Sequence, residues 1–304
     1  MPISRSYKGI TVQIPKFWAK ATGSQTSPEG KDLCFSCWRW SDSSQADAEQ
    51  AAAAAAERIR QGISLGQKPD RYPYATTPLR EELLQTISDS QGRLLGAVTR
   101  NQYGSVVLNT QRVMFVDIDF PEEPAEQEAP KGILAWLLGG ANLSEKKSSE
   151  SEHEQKTRAV VEDFAAAHPE WNIRLYRTSA GLRGLVTHPL LDPASSQTHE
   201  ILEALGADPL FIRLCKLQEC FRARLTPKPW RCGHYANTIR YPIQETAFLR
   251  RYQEWLSQYE QRQRGYATCR WLGEVGSGQV HPEAELIVQL HDFVTRCQEP
   301  LPLA

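Results

Sequence analysis

Asp117 and Asp119 stand two residues apart at the end of an apolar run, Val113-Met114-Phe115-Val116-Asp117-Ile118-Asp119-Phe120. Side chains alternate across a strand, so both carboxylates share a face, about 6.6 Å apart along the backbone, while Val116 and Ile118 point into a core. Two carboxylates on one face repel each other unless a cation sits between them. Mg2+ or Mn2+ is held in this way, through one or two carboxylates plus substrate phosphates. Asp117 and Asp119 are therefore the candidate metal ligands and catalytic carboxylates. The plain alternative, two aspartates facing water and capping the next turn, stays open.

A second group lies in Tyr176-Arg177-Thr178-Ser179-Ala180-Gly181-Leu182-Arg183-Gly184. A turn of small residues, Ser179 to Gly181, lets backbone N–H groups approach an anion. Arg177 and Arg183 flank it, and guanidinium groups hold phosphate bidentately. An ordinary hairpin with exposed arginines is the competing reading. Third is the basic run from Arg213 to Arg231, where Arg213, Lys216, Arg222, Arg224, Lys228 and Arg231 face a single acid, Glu219. Trp230 sits between Lys228 and Arg231, a pattern that suits phosphate contact plus base stacking. Arg222, Arg224, Lys228, Trp230 and Arg231 are thus candidate nucleic-acid contacts, against a solvated helix followed by a packed Pro-Trp corner.

The cysteines carry less. Cys34 and Cys37 have the spacing of half a zinc knuckle, but LCFSCWRW reads as a strand that points them to opposite faces. Neither Cys215 with Cys220 nor Cys232 with His234 completes a standard zinc spacing, so buried thiols are expected rather than zinc. Seven scattered cysteines argue against a secreted disulfide framework.

These groups need elements to hold them. The chain of 304 residues has 40% hydrophobic and 23% charged residues, enough to bury a core and too apolar for wholesale disorder. Its 35 Lys and Arg nearly balance 36 Asp and Glu, so no net field marks the whole chain as a nucleic-acid or membrane binder. The start, MPISRSYKGITVQIPKFW, lacks a signal-peptide h-region, and no apolar run reaches a membrane span. A cytoplasmic protein is expected.

Residues 1–65 read as strand KGITVQI, strand LCFSCWRW and an alanine-rich helix capped at Asp42 to Ser44 and ended at Gly62. A loop covers 66–78, and PLREELLQTI follows as a short helix. RLLGAVTRN, YGSVVLNT and RVMFVDIDF read as three strands, the first two joined at Asn101 to Gly104. Residues 121–154 carry eight acids and three lysines and read as an acidic flexible insertion. Its apolar island GILAWLLGG (132–140) suits either a short helix or a hook for a protein partner. A helix from Gln155, the hairpin NIRLYRTS/LRGLVTH, and helices QTHEILEALG, DPLFIRLCKLQECFRARL, ETAFLRRYQEWLSQYEQRQR and PEAELIVQLHDFVTRC complete the chain, with a strand YATCRWL before the last. The resulting fold class is α+β. The core sheet is assigned to 66–120 and 155–190, and a mostly helical basic part to 191–304. The helix from Gln155 is expected to carry RLYRTS beside VMFVDIDF as a parallel neighbour. Asp117, Asp119, Arg177 and Arg183 would then converge on one sheet face.

An apolar strand ending in D-x-D, followed by a small-residue hairpin of the type S-x-G-x-H, resembles the archaeo-eukaryotic primase and primase-polymerase superfamily. The resemblance implies an RRM-like, palm-like central sheet with flanking helices, two metals on Asp117 and Asp119, and a hairpin residue meeting nucleotide phosphates. Two departures stand out. Arg183 occupies the histidine position, and no third acidic position is evident between His188 and Ile239. WRWSDSS, TPLREEL and RLTPKPWRCG resemble segments of bacterial proteins. The expected function is metal-dependent nucleotidyl or phosphoryl transfer on nucleotides or nucleic acid. The alternative is a non-catalytic module that binds nucleic acid or a protein. A D-x-D glycosyltransferase has less support, because no nucleotide-binding strand–helix unit precedes the motif.

Overall fold

A computed structural model describes residues 14–67, 78–120, 142–243 and 245–304, with side chains from residue 152 onward in the third segment. The fold is α+β, with six helices and three antiparallel sheets among the described residues. No described helix is long and apolar enough to cross a membrane. The strand expected over KGITVQI lies outside the described residues except for Ile14, as do most of the 66–78 loop and the island 132–140.

The first unit is a ribbon, β1 (Phe17–Thr26) antiparallel to β2 (Asp32–Ser41), backed by α1 (Gln45–Ser64). Ala48, Ala52, Ala55 and Ala56 form the buried stripe of α1, so the alanine run lets the helix lie close on the ribbon. Ser44 Oγ accepts from the Asp47 N–H at 3.1 Å, the expected N-cap. The helix runs past Gly62 and stops before Gly66, which takes the left-handed φ of +80°. Cys34 is exposed and Cys37 buried, on opposite faces of β2, so the two do not share an ion.

Two four-stranded sheets follow. One has the order β3 (Glu82–Ser88), β4 (Leu94–Arg100), β5 (Val106–Thr110), β9 (Phe221–Arg224). The other has the order β10 (Cys269–Gly276), β7 (Asn172–Thr178), β8 (Gly181–His188), β6 (Phe115–Asp119). They share one core, in which Val98, Leu108 and Phe221 of the first meet Phe115, Ile173, Leu185 and Cys269 of the second. The helices are α2 (Asn142–Ala167), α3 (Ser196–Ala204), α4 (Pro209–Gln218), α5 (Thr246–Gln263) and α6 (Pro282–Thr295).

Four expectations are corrected. PLREELLQTI is not a helix: its second half is the edge strand β3, paired with β4, with Glu82 3.6 Å from Arg100 of that strand and Glu81 bonded to Arg222 of β9. α4 ends at Gln218, where Glu219 turns left-handed at φ 48°, and Phe-Arg-Ala-Arg continues as β9 against β5. α2 begins at Asn142, so the helix expected from Gln155 starts inside the segment assigned to the acidic insertion. Finally, β7 is not the neighbour of β6. β8 lies between them, antiparallel to both, so β6 and β7 run the same way without pairing. The C-terminal part is correspondingly no separate unit, since β9 and β10 complete the two sheets.

α6 is tied to its sheet by a polar cluster. Tyr176 Oη donates to Asp292 at 2.7 Å, Arg174 donates to the same carboxylate at 2.8 Å, and His291 Nδ1 lies 2.9 Å from it. His291 is fully buried against the rings of Tyr176 and Phe115. Burial holds its pKa down to about 4, despite the Asp292 hydrogen bond. The unfolded chain therefore binds a proton that the native state refuses between the ordinary histidine value and about pH 4. This contribution to stability is complete above that window and is lost as pH falls through it. The urea midpoint is expected to drop between pH 7 and pH 4.5, and His291→Gln to flatten the drop. An equal slope in both proteins would show that His291 does not set it.

Candidate functional site

The site is assembled where β6 and β8 of one sheet meet β9 of the other. Direct partners in an antiparallel pair project to the same side. Asp117 pairs with Arg183, which pairs with Tyr176, so these three share a face, joined by Asp119 two residues along β6. Arg183 Nε lies 3.6 Å from Asp117 Oδ1, and its Nη1 donates to the Arg224 carbonyl at 2.9 Å. With its side chain only 3% exposed, Arg183 is a buried fastener between sheets as much as a candidate ligand contact.

Arg177 is not on this face. Its pairing partner is Leu182, and it points to the α2 side, where it meets Glu154 at 3.2 Å and lies 4.6 Å over the Phe120 ring. It also donates to the Thr178 and Gly181 carbonyls. The expected convergence thus brings together Asp117, Asp119 and Arg183, without Arg177. The turn is not an anion cradle either. Thr178 Oγ1 accepts from the Gly181 N–H at 3.0 Å and the Ala180 N–H at 3.4 Å. Glycine is needed at 181 for another reason: a Cβ there would lie 1.9 Å from the Ile118 carbonyl oxygen. The Ser179 hydroxyl accepts from Arg231, which ties the loop after β9 to the hairpin.

The basic run divides. Arg222 is engaged within the protein, donating to both Glu81 oxygens at 2.7 and 2.8 Å and to Gln218 at 3.1 Å. Arg224, Lys228 and Arg231 gather on the carboxylate side. Burial first, then Arg183 and Arg231, bring the Arg224 guanidinium down to about 10, and Asp117 opposes the shift. Lys228 is lowered by burial, then by Arg224 and Arg231, while Asp119 and Asp117 pull the other way. Arg224 Nε is buried with no hydrogen-bond partner. Four cations crowd one another here, a field that an anion relieves.

Two contributors were missed in the sequence. The Asp208 N–H donates to the Asp117 carbonyl at 3.0 Å, which sets the start of α4 beside β6. Burial, then Asp117 and Asp208, hold the Asp119 carboxyl above the usual range, and Lys228 and Arg224 oppose the shift. The Asp-Pro pair signals only a helix start. Asp208 indeed caps α4, accepting from the Leu210 and Phe211 N–H groups, and nothing in its spacing points toward Asp119. The other is Tyr103, legible only as a turn residue, whose ring stands edge-on to Trp230 at 5.5 Å.

No group of three or more His, Cys, Asp or Glu among the described residues is arranged to hold a metal ion. Asp117 and Asp119 fit the two-carboxylate mode, in which phosphate oxygens of a ligand supply further donors. No protein-family model, no curated protein and no solved structure matches the chain.

Proposed function

We propose that the protein binds a phosphate-bearing ligand, a nucleotide or a nucleic-acid strand, where its two larger sheets meet, and transfers a phosphoryl or nucleotidyl group there. One observation carries the reading: Arg183, Arg224 and Lys228 gather around Asp117 and Asp119, with Arg231 beside Arg224 and Lys228. Neutralising one another's repulsion is work an anionic ligand does, and phosphate oxygens suit guanidinium groups best. Asp117 and Asp119 would hold Mg2+ or Mn2+, which when bound neutralises developing charge on phosphate and activates an attacking oxygen. The protein's own groups do the rest. Arg224 and Lys228 orient phosphates, and Arg183 keeps the Asp117 carboxylate in place. The palm-like reading rests on the split β-α-β unit β6-α2-β7, with β8 lying between the two strands; β10 departs from it by pairing with the outer edge of β7 rather than with β6. The same reading takes the protein to be cytoplasmic.

A second reading, binding without catalysis, is favoured by the Asp117–Arg183 contact at 3.6 Å, which already offsets one carboxylate. Asp117→Asn separates the two. By calorimetry, this variant is expected to lose Mn2+ affinity by about tenfold or more while its circular dichroism stays that of the unaltered protein. Unchanged Mn2+ affinity would remove the metal site. Salt-sensitive oligonucleotide binding that survives loss of both aspartates would leave the non-catalytic reading in its place.

A further inference from the structure

We infer that Trp230 and Tyr103 form a subsite that stacks an unpaired nucleobase of the ligand; this rests on the phosphate-binding reading above. Trp230 is 48% exposed and Tyr103 54% exposed, and these two open rings stand against each other beside the cation cluster. The two rings meet at 88° with centroids 5.5 Å apart, and Lys228 Nζ lies 5.7 Å from the Trp230 ring. An exposed indole beside a cation is a surface on which any base can stack, since every base has a π-face.

The two loops that present these rings are clamped to one another. Ser105 Oγ donates to the Pro227 carbonyl at 3.1 Å, and Tyr259 Oη donates to the same carbonyl at 2.6 Å. Asn101 Oδ1 accepts from the Tyr103 and Ser105 N–H groups, which sets the turn that carries Tyr103. Gly104 follows in a positive-φ conformation, so close to Trp255 of α5 that a Cβ would lie 2.1 Å from its ring. Pro229 opens the short 3-10 turn Pro229–Cys232 that holds Trp230. The platform is therefore prepared before a ligand arrives, which lowers the ordering cost of binding.

Charge identifies the occupant. The nearest charged residues along the chain before and after Trp230, Lys228 and Arg231, both belong to the cation cluster: Arg231 is held to Ser179, and Lys228 senses Asp119 and Asp117. A greasy protein partner or a lipid tail gains nothing from that setting. A nucleotide unit does, with phosphate on the cations and its base on the indole. A base locked in a duplex has no free face to offer, so the subsite selects unpaired bases.

The test compares a labelled oligothymidylate, an abasic phosphodiester of equal length and a duplex of equal length, by fluorescence anisotropy at one salt concentration. The unaltered protein is expected to prefer the base-bearing single strand over the other two by about tenfold. Trp230→Ala is expected to erase that preference while abasic binding holds within about twofold; Trp230→Phe retains most of it, and Tyr103→Ala part. Competition by a nucleoside triphosphate that weakens in Trp230→Ala assigns the base to a mononucleotide, and its absence assigns it to a strand. Equal affinity for base-bearing and abasic strands, or a preference that survives Trp230→Ala, overturns the subsite and leaves the phosphate cluster standing. Binding of neither strand overturns the subsite together with the reading on which it rests.

Discussion

Glu81→Ala is expected to cost about 3 to 5 kcal/mol of stability, the cost of breaking a buried ion pair by removing one partner. The Glu81 carboxylate is 10% exposed and takes two hydrogen bonds from Arg222, while Thr99 Oγ1 donates to it at 2.6 Å. Asn109 Nδ2 in turn donates to Thr99, so the network joins the residue before β3 to β4, β5 and β9. Without Glu81, the guanidinium is left largely desolvated with only Gln218 at hand. Replacing both partners, Glu81→Leu with Arg222→Met, is expected to recover most of the loss, because two charges then leave the interior together. The double variant should bind oligonucleotide as the unaltered protein does. Chemical denaturation checks the first part and anisotropy the second. A loss under about 1 kcal/mol in Glu81→Ala would mean that water reaches the Arg222 head group and the pair is a surface one.

Gly181→Ala is expected to cost about 3 kcal/mol and to weaken ligand binding with it. The added methyl would lie 1.9 Å from the Ile118 carbonyl oxygen and 2.9 Å from the Asp119 Cα, both backbone atoms of β6. No side-chain rotation relieves such a clash, so β6 must part from β8 at the end that carries the carboxylates. Gly184→Ala on the same strand is the control. Its methyl would meet Ile173 and Val116 side chains at 3.4 Å, a distance small shifts accommodate. If both variants melt alike, close strand approach does not explain the glycine at 181.

Much of this was legible locally. The strands around Asp117 and in the hairpin announce themselves because their apolar faces repeat every two residues, and α1 because alanine and an N-cap serine define it without distant help. The failures have a common physical origin. β9 exists through a partner far along the chain, pairing with β5 more than a hundred residues earlier, and β3 is an edge strand whose flanking Glu81 finds Arg222 only in the fold. Phe221-Arg222-Ala223-Arg224 does alternate, yet a helix that precedes it without a proline or glycine break conceals the change of period. Arg222 and Arg224 sit two apart in one basic run, and only Glu81, 141 residues from Arg222, makes one structural and leaves the other at the site. The face of Arg177 was misjudged because it depends on which strand lies beside β6. Once β8 takes that place, pairing with Leu182 sends Arg177 to the α2 side.

The hydrogen bond from Arg183 to the Arg224 carbonyl has a mechanical consequence. It is a rivet at a seam: β8 belongs to one sheet, β9 to the other, and the carboxylates and most of the cations lie on opposite sides of the line between them. Sliding one sheet by the length of a single bond would change every carboxylate-to-cation distance at once. A phosphate gripped from both sides adds a second rivet at the same seam and resists that slip. Occupancy would then stiffen β6, β8 and β9 together, so that the filled site acts as a keystone for the sheets that built it.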